Sequence, residues 1–289
     1  MKLVLLHGRA QQGKDSSELK KKWIEALQAG LAKSNITWQP KDSDIIFPFY
    51  GDLLKQLKET EGENVENVIE KGETQGEDDE ILLELLEEIA QNAGVKAKDI
   101  QDANQELVVE KGLENHPLIL KLLRAIDKKS FWSEKALAAF THDVYCYLKY
   151  YGVRSKIDKF VKDHIPAEDC VWVGHSLGSV ISYNVLGQHT PKSIKKIITV
   201  GSPLGVKSIK RHLDAPLKMP GSVLNGWYNG FDKLDIVSLY PLEKPHFEIN
   251  PAIVNNGNID NFTSNKHGIE GYLSDKEVAL SIYNALMDN

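Results

Sequence analysis

Apolar residues in this chain follow two rhythms. Leu3-Val4-Leu5-Leu6 is a continuous apolar run closed by His7-Gly8, the pattern of a central strand buried on both faces. After a polar loop, Leu19, Trp23, Ile24, Leu27 and Leu31 recur at helical spacing. They predict an amphipathic helix that Ser16 or Ser17 can cap. Asp44-Ile45-Ile46-Phe47 predicts a second strand, stopped by Pro48 because proline cannot donate to a ladder. Strand, helix and strand in that order predict a right-handed crossover and a parallel sheet.

The rhythm breaks over residues 51–140. Gly62, Gly72 and Gly76 lie among charges in Glu61–Glu80, which predicts a mobile loop. Helices are predicted around Ile81–Ala90 and Leu118–Ile126, the latter entered through Pro117 at a favoured first-turn position. From about residue 141 the alternation resumes. A long helix is expected over Asp143–His164, with Gly152 as a possible interruption. Strand Cys170–Val173 ends at Gly174, helix Leu177–Leu186 follows, and strand Ile197–Val200 ends at Gly201. A weaker strand is expected over Gly226–Asn229 and a closing helix over Asp275–Met287. No internal repeat is present. The class is α/β, a mostly parallel sheet flanked by helices, with residues 1–50 and 141–289 forming one body and 51–140 a helical insertion.

Composition changes this picture in one respect. The net charge of −6 averages two unlike regions. Residues 51–116 hold 19 Asp/Glu and 6 Lys/Arg, a net of −13, which leaves +7 for the remainder. The acidic balance disfavours general nucleic-acid binding. No apolar run approaches the ~20 residues that cross a bilayer, and Leu3–Leu6 is too short for a signal-peptide core. The expectations are a cytoplasmic location and no stable membrane insertion. With two cysteines, Cys146 and Cys170, and scattered histidines, no disulfide framework, metal site or cofactor is expected.

Gly174-His175-Ser176-Leu177-Gly178 fits G-x-S-x-G, after an apolar strand and before a helix. That is the setting of a nucleophile elbow, where small residues flank a strained serine at a helix N-terminus. The chain thereby resembles the α/β-hydrolases of lipase/esterase type, over roughly 1–50 and 141–289 but not over the insertion. The end of the first strand, Leu5-Leu6-His7-Gly8-Arg9, is similar to the oxyanion loop of that family. By resemblance, the backbone N–H groups of Leu177 and Arg9 would meet the developing oxyanion, His7 would shape its loop, and His175 would be structural.

The resemblance also implies an acid and a base after Ser176, in that order. Asp235-Ile236-Val237 fits the acid loop best, with Asp232 as the alternative. His267, in the loop before the last helix, fits the base better than His246. The implied activity is hydrolysis of a small-molecule or lipid ester through an acyl-enzyme, with the 51–140 helices as a lid or a partner-docking element. One decoy remains: Gly8-Arg9-Ala10-Gln11-Gln12-Gly13-Lys14 matches G-x-x-x-x-G-K. Asp15 stands where a phosphate-binding loop needs Ser or Thr for Mg²⁺, so nucleotide binding is the weaker reading.

Overall fold

A computed structural model describes residues 1–8, 13–61, 77–103, 117–188 and 194–288. Six parallel strands are described, β1 (Lys2–Leu6), β2 (Ile45–Ile46), β3 (Cys170–His175), β4 (Ile194–Val200), β5 (Trp227–Gly230) and β6 (Val254–Asn256). Their order across the sheet is β2-β1-β3-β4-β5-β6. One register line runs Leu5, Val173, Ile198, Tyr228, Val254.

Side chains alternate between two cores, as the two-residue period of a strand requires. Leu3, Leu5, Val171, Val173, Ile198 and Val200 face helices α1 (Ser16–Ala32), α10 (Ile269–Leu273) and α11 (Lys276–Met287). Val4, Leu6, Cys170, Trp172 and Ile197 face the opposite core, built on α6 (Glu134–Lys149), α7 (Tyr151–Asp163) and α8 (Leu177–Gly187). The continuous apolar runs in the sequence therefore reflect strands covered on both sides.

Between β2 and α6 the chain forms α2 (Gly51–Glu61), α3 (Glu77–Asn92), α4 (Ala97–Asp102) and α5 (Pro117–Asp127). α3 packs on α5, α6 and the short α9 (Lys207–Lys210). Their apolar faces join the second core through Leu54, Leu57, Leu85, Leu86, Ile89, Leu122, Leu123 and Ile126. α6 runs without interruption across residue 140. No helix among the described residues is long and apolar enough to cross a membrane.

Three local expectations are corrected and one strand is added. Asp15, not Ser16 or Ser17, caps α1, its carboxylate accepting the N–H of Ser17 at 2.8 Å and of Glu18 at 3.1 Å; a charged acceptor also suits the helix dipole. The long helix expected over Asp143–His164 is two. The break falls at Tyr150, whose φ of −90° and ψ of 104° are extended, while Gly152 lies inside α7. The bend lets Val144 and Tyr147 of α6 and Ile157 and Val161 of α7 enter the same core, which a straight rod of ~33 Å would not allow. The loop expected over 61–80 is shorter, since Glu61 belongs to α2 and Glu77–Glu80 to α3; 62–76 lie outside the described residues. Strand β6 was not anticipated, because three residues, Val-Asn-Asn, at an edge carry no apolar run.

Candidate active site

Parallel strands bring their C-terminal ends to one edge, and ligands of open α/β sheets bind there. At the end of β3 the chain turns into α8 through Ser176, at φ 55° and ψ −129°. That conformation is strained for a residue with a β-carbon. The Ser176 N–H donates to the Val200 carbonyl at 3.2 Å, which ties the turn to β4. A β-carbon on Gly178 would collide with the carbonyls of Leu6 and His7, and one on Gly8 would lie 2.8 Å from Ser176 Cβ. The end of β1 and the serine turn are thus in contact, and only glycine fits between them.

His267 lies in the loop that opens α10. Its Nε2 is 2.8 Å from Ser176 Oγ and its Nδ1 is 2.7 Å from Asp235 Oδ2. An ionised carboxylate accepts only, so Nδ1 carries the hydrogen and Nε2 presents a lone pair to the serine hydroxyl. Asp235 also accepts two further donors. Tyr272 O–H donates to Oδ2 at 2.6 Å and the Val237 N–H to Oδ1 at 3.0 Å. Burial opposes the Asp235 charge, but His267, Tyr272 and the Val237 N–H together hold its carboxyl below the usual range. Burial, and next the Asp235 charge, push the Tyr272 phenol well above its ordinary value.

The other histidines of this region take different parts. His175 Nε2 lies 2.8 Å from the His267 carbonyl, to which it donates, and its ring sits between Trp23, His267 and Tyr272. Burial, and then His267, lower its pKa to about 3, so it is neutral. His7 is likewise held neutral by burial, its pKa lowered to about 4. Its Nδ1 donates to the Gly8 carbonyl and its Nε2 accepts the Tyr50 N–H at 3.1 Å. Tyr50 O–H in turn donates to the His7 carbonyl at 2.7 Å. His7 is therefore built into the loop beside the serine.

Asp232 is not in contact with His267. Its Oδ2 accepts the Asn261 N–H at 2.7 Å and its Oδ1 the Leu234 N–H at 2.8 Å. It organises the loop that presents Asp235. His246 stacks on Tyr240 at 3.8 Å, in a different loop. Leu177 supplies the first N–H of α8 beside Ser176; Arg9 lies outside the described residues. Two neighbours of the site were not anticipated. Tyr272 is one, its role hidden because α10 was not expected. Trp132 is the other, its ring 5.2 Å from that of His267, with Phe140 at 6.4 Å. Nothing in the sequence around Trp132 signals that contact.

The family model for the alpha/beta hydrolase fold matches residues 150–243, from α7 to the loops beyond β5. Over that segment the chain is similar to the α/β-hydrolase fold family, and the parallel six-stranded sheet is consistent with it. The matched segment includes Ser176 and Asp235; His7, His267 and residues 51–140 lie outside it. No curated protein and no solved structure matches the chain.

Two competing chemistries find little support here. In the phosphate-loop decoy, the Gly13 N–H donates to Asp52 Oδ1 at 2.7 Å, and Asp15 is occupied as a helix cap. A backbone N–H already given to a carboxylate is a poor phosphate donor. Cys146 Sγ lies 3.5 Å from His142 Nε2, but burial raises the thiol to about 12 and lowers the imidazole to about 4, the reverse of an activated cysteine. Among the described residues no group of three or more His, Cys, Asp or Glu could hold a metal ion.

Proposed function

We propose that this protein is a serine hydrolase that cleaves a carboxylic ester or thioester through an acyl-enzyme on Ser176. The observation that carries the reading is the unbroken path Asp235–His267–Ser176, with contacts of 2.7 and 2.8 Å. In it, Ser176 Oγ attacks the carbonyl carbon while His267 Nε2 takes its proton. Asp235 holds the imidazole tautomer and offsets the imidazolium charge. The oxyanion falls to the Leu177 N–H and, by family resemblance, to that of Arg9. Collapse releases the alcohol or thiol, which takes its proton from His267. Water then repeats the sequence on the acyl-enzyme.

The helices of 51–140 serve as a lid in this reading. Supporting it, Ser176 is 1 % exposed and Trp132, in the loop after α5, lies against His267. The acyl group is medium or long. The apolar residues beside the site loops, Leu177, Leu204 and Val237, belong to the same core as those helices, and each buried CH₂ of an acyl chain is worth ~0.8 kcal/mol. A fluorophosphonate probe tests the reaction: wild-type protein should label and Ser176→Ala should not. Absent wild-type labelling overturns the proposal. Turnover of nitrophenyl esters should rise from acetyl to octanoyl, and a flat or falling series removes the acyl preference.

A further inference from the structure

A hydroxyl is present where packing alone would call for a hydrocarbon. Tyr272 is fully buried, its ring in the core formed by Val173, Val200 and Val278. Phenylalanine would fill that volume. The tyrosine oxygen instead sits in a two-step relay. It accepts the Asp232 N–H at 3.2 Å and donates to Asp235 Oδ2 at 2.6 Å. That is the same carboxylate oxygen that faces His267 Nδ1 at 2.7 Å. The helix that opens just after His267 therefore returns a second donor to the acid the histidine relies on.

Resting on the serine-hydrolase reading above, we propose that Tyr272 is a positioning residue that sets the basicity of His267 through Asp235. Two donors on one oxygen divide its electron density. The phenol fixes the carboxylate rotation, and it also draws charge away from the His267 contact. Removing the hydroxyl leaves Oδ2 to the imidazole alone, which strengthens that bond and makes His267 harder to deprotonate. The groups that face this pair are known: Asp235 and Asp232 from the acid loop, His175 from β3, and Tyr272 itself from α10. His175 is neutral over the working range, so it adds no competing titration. Trp132 and Phe140 face His267 without charge.

The test uses the whole protein with Tyr272→Phe and, as a shape-preserving partner, 3-fluorotyrosine placed at 272 alone. The first readout is the low-field NMR resonance of the proton between His267 and Asp235, which needs no turnover. It should move further downfield in Tyr272→Phe and upfield with fluorotyrosine, a stronger donor. The second is the pH dependence of fluorophosphonate labelling. Its acid limb should move up by about half a pH unit in Tyr272→Phe, a shift matching a change in one charged hydrogen bond. The plateau rate should fall about 3- to 10-fold, as expected when a positioning contact rather than the base itself is lost. An unmoved resonance and an unmoved acid limb in the fluorotyrosine protein overturn the inference, even if Tyr272→Phe folds poorly. Wild-type protein that does not label overturns the serine-hydrolase reading instead, and the resonance still decides the coupling of Tyr272 to the Asp235–His267 pair.

Discussion

The β-strand body and the helices between β2 and α6 are held by different forces. In the body, Ser176, His267, Asp235 and Tyr272 are connected by short hydrogen bonds among groups at most 5 % exposed. Such a network is insulated from salt and holds its distances fixed. The helical region shares the body's apolar core, but its polar seam lies nearer the surface. Glu88 of α3 accepts the N–H groups of Lys207 and Ser208 at 3.1 Å each, and Glu84 pairs with Arg211. Lys58 of α2 reaches Asp143 at 2.6 Å. The charge split of −13 against +7 finds a local use at α3, where Glu84 and Glu88 meet the Lys207–Arg211 segment, whereas Lys58–Asp143 runs with the opposite polarity. The buried network stays fixed, whereas the charged seam is exposed enough to loosen locally.

The largest expected effect falls within the body. Asp235→Asn keeps the shape of the acid but offers His267 Nδ1 a donor or a neutral acceptor, so the imidazole tautomer is no longer enforced. Hydrolysis should fall about 10⁴-fold, with little change in urea midpoint. Asp232→Asn is the control, because Asp232 touches backbone N–H groups and not the imidazole. Equal losses in the two variants would mean that the acid is misassigned.

Next comes the apolar join between the two regions. Trp132 is 1 % exposed and lies on His267. Trp132→Ala should cost ~3–5 kcal/mol by chemical denaturation. The loss should appear first as faster amide exchange in α3 and α5, with β1, β3 and β4 protected. Uniform loss across the sheet would show that the two regions unfold as one, and the contrast drawn above would be wrong.

Acid should act on the body. His7 and His175 are buried and His142 on α6 is half-buried, and desolvation lowers their pKa values to about 4, about 3 and about 4. Unfolded, each takes a proton near its ordinary 6.5. The unfolded chain therefore binds more protons below that pH. Stability is complete above 6.5 and is lost as pH falls toward 4. Asp158, raised to about 6 by burial, acts in the opposite sense, adding stability below its unfolded value that fades as pH rises through 6. Three histidines outweigh one carboxyl. His142→Gln should flatten the fall in urea midpoint between pH 6.5 and 4, recovering up to ~3 kcal/mol at the acid end. An unchanged slope would place the acid sensitivity wholly in His7 and His175.

Much of the body was legible because its strands are short apolar runs closed by glycine, and because Gly174–Gly178 sits where strand meets helix. Long-range pairings were legible only by resemblance. Ser176 and His267 are 91 positions apart, and Asp232 and Asp235 differ only in which side chain the loop turns inward. Asp15 was missed as a cap because two serines beside it offered the same chemistry. Tyr272 and Trp132 were missed for a deeper reason. An aromatic residue in a short helix, as Tyr272, or in a loop between helices, as Trp132, looks like core whether or not its hydroxyl or ring reaches a histidine across the fold.

The smallest effect tests the seam itself. Arg211 is 49 % exposed and its partner Glu84 30 %, so the pair should be worth only ~0.2–1 kcal/mol and should weaken with salt. Glu88 adds a carboxylate at the first N–H groups of α9, for ~1 kcal/mol. Neither is enough to alter folding, but both can shift the local opening of α3 severalfold. In Arg211→Gln, amide exchange in α3 should rise about 2- to 5-fold at low salt, and the difference from wild type should vanish near 0.5 M salt. Arg211→Glu should raise it further, and the added Glu84→Lys should reverse that rise. Recovery in the double variant separates an electrostatic seam from mere loss of packing, since Glu88 and the apolar face of α3 are untouched in all three proteins. Exchange that ignores both salt and the charge swap would mean that the helical region is held by its apolar core alone.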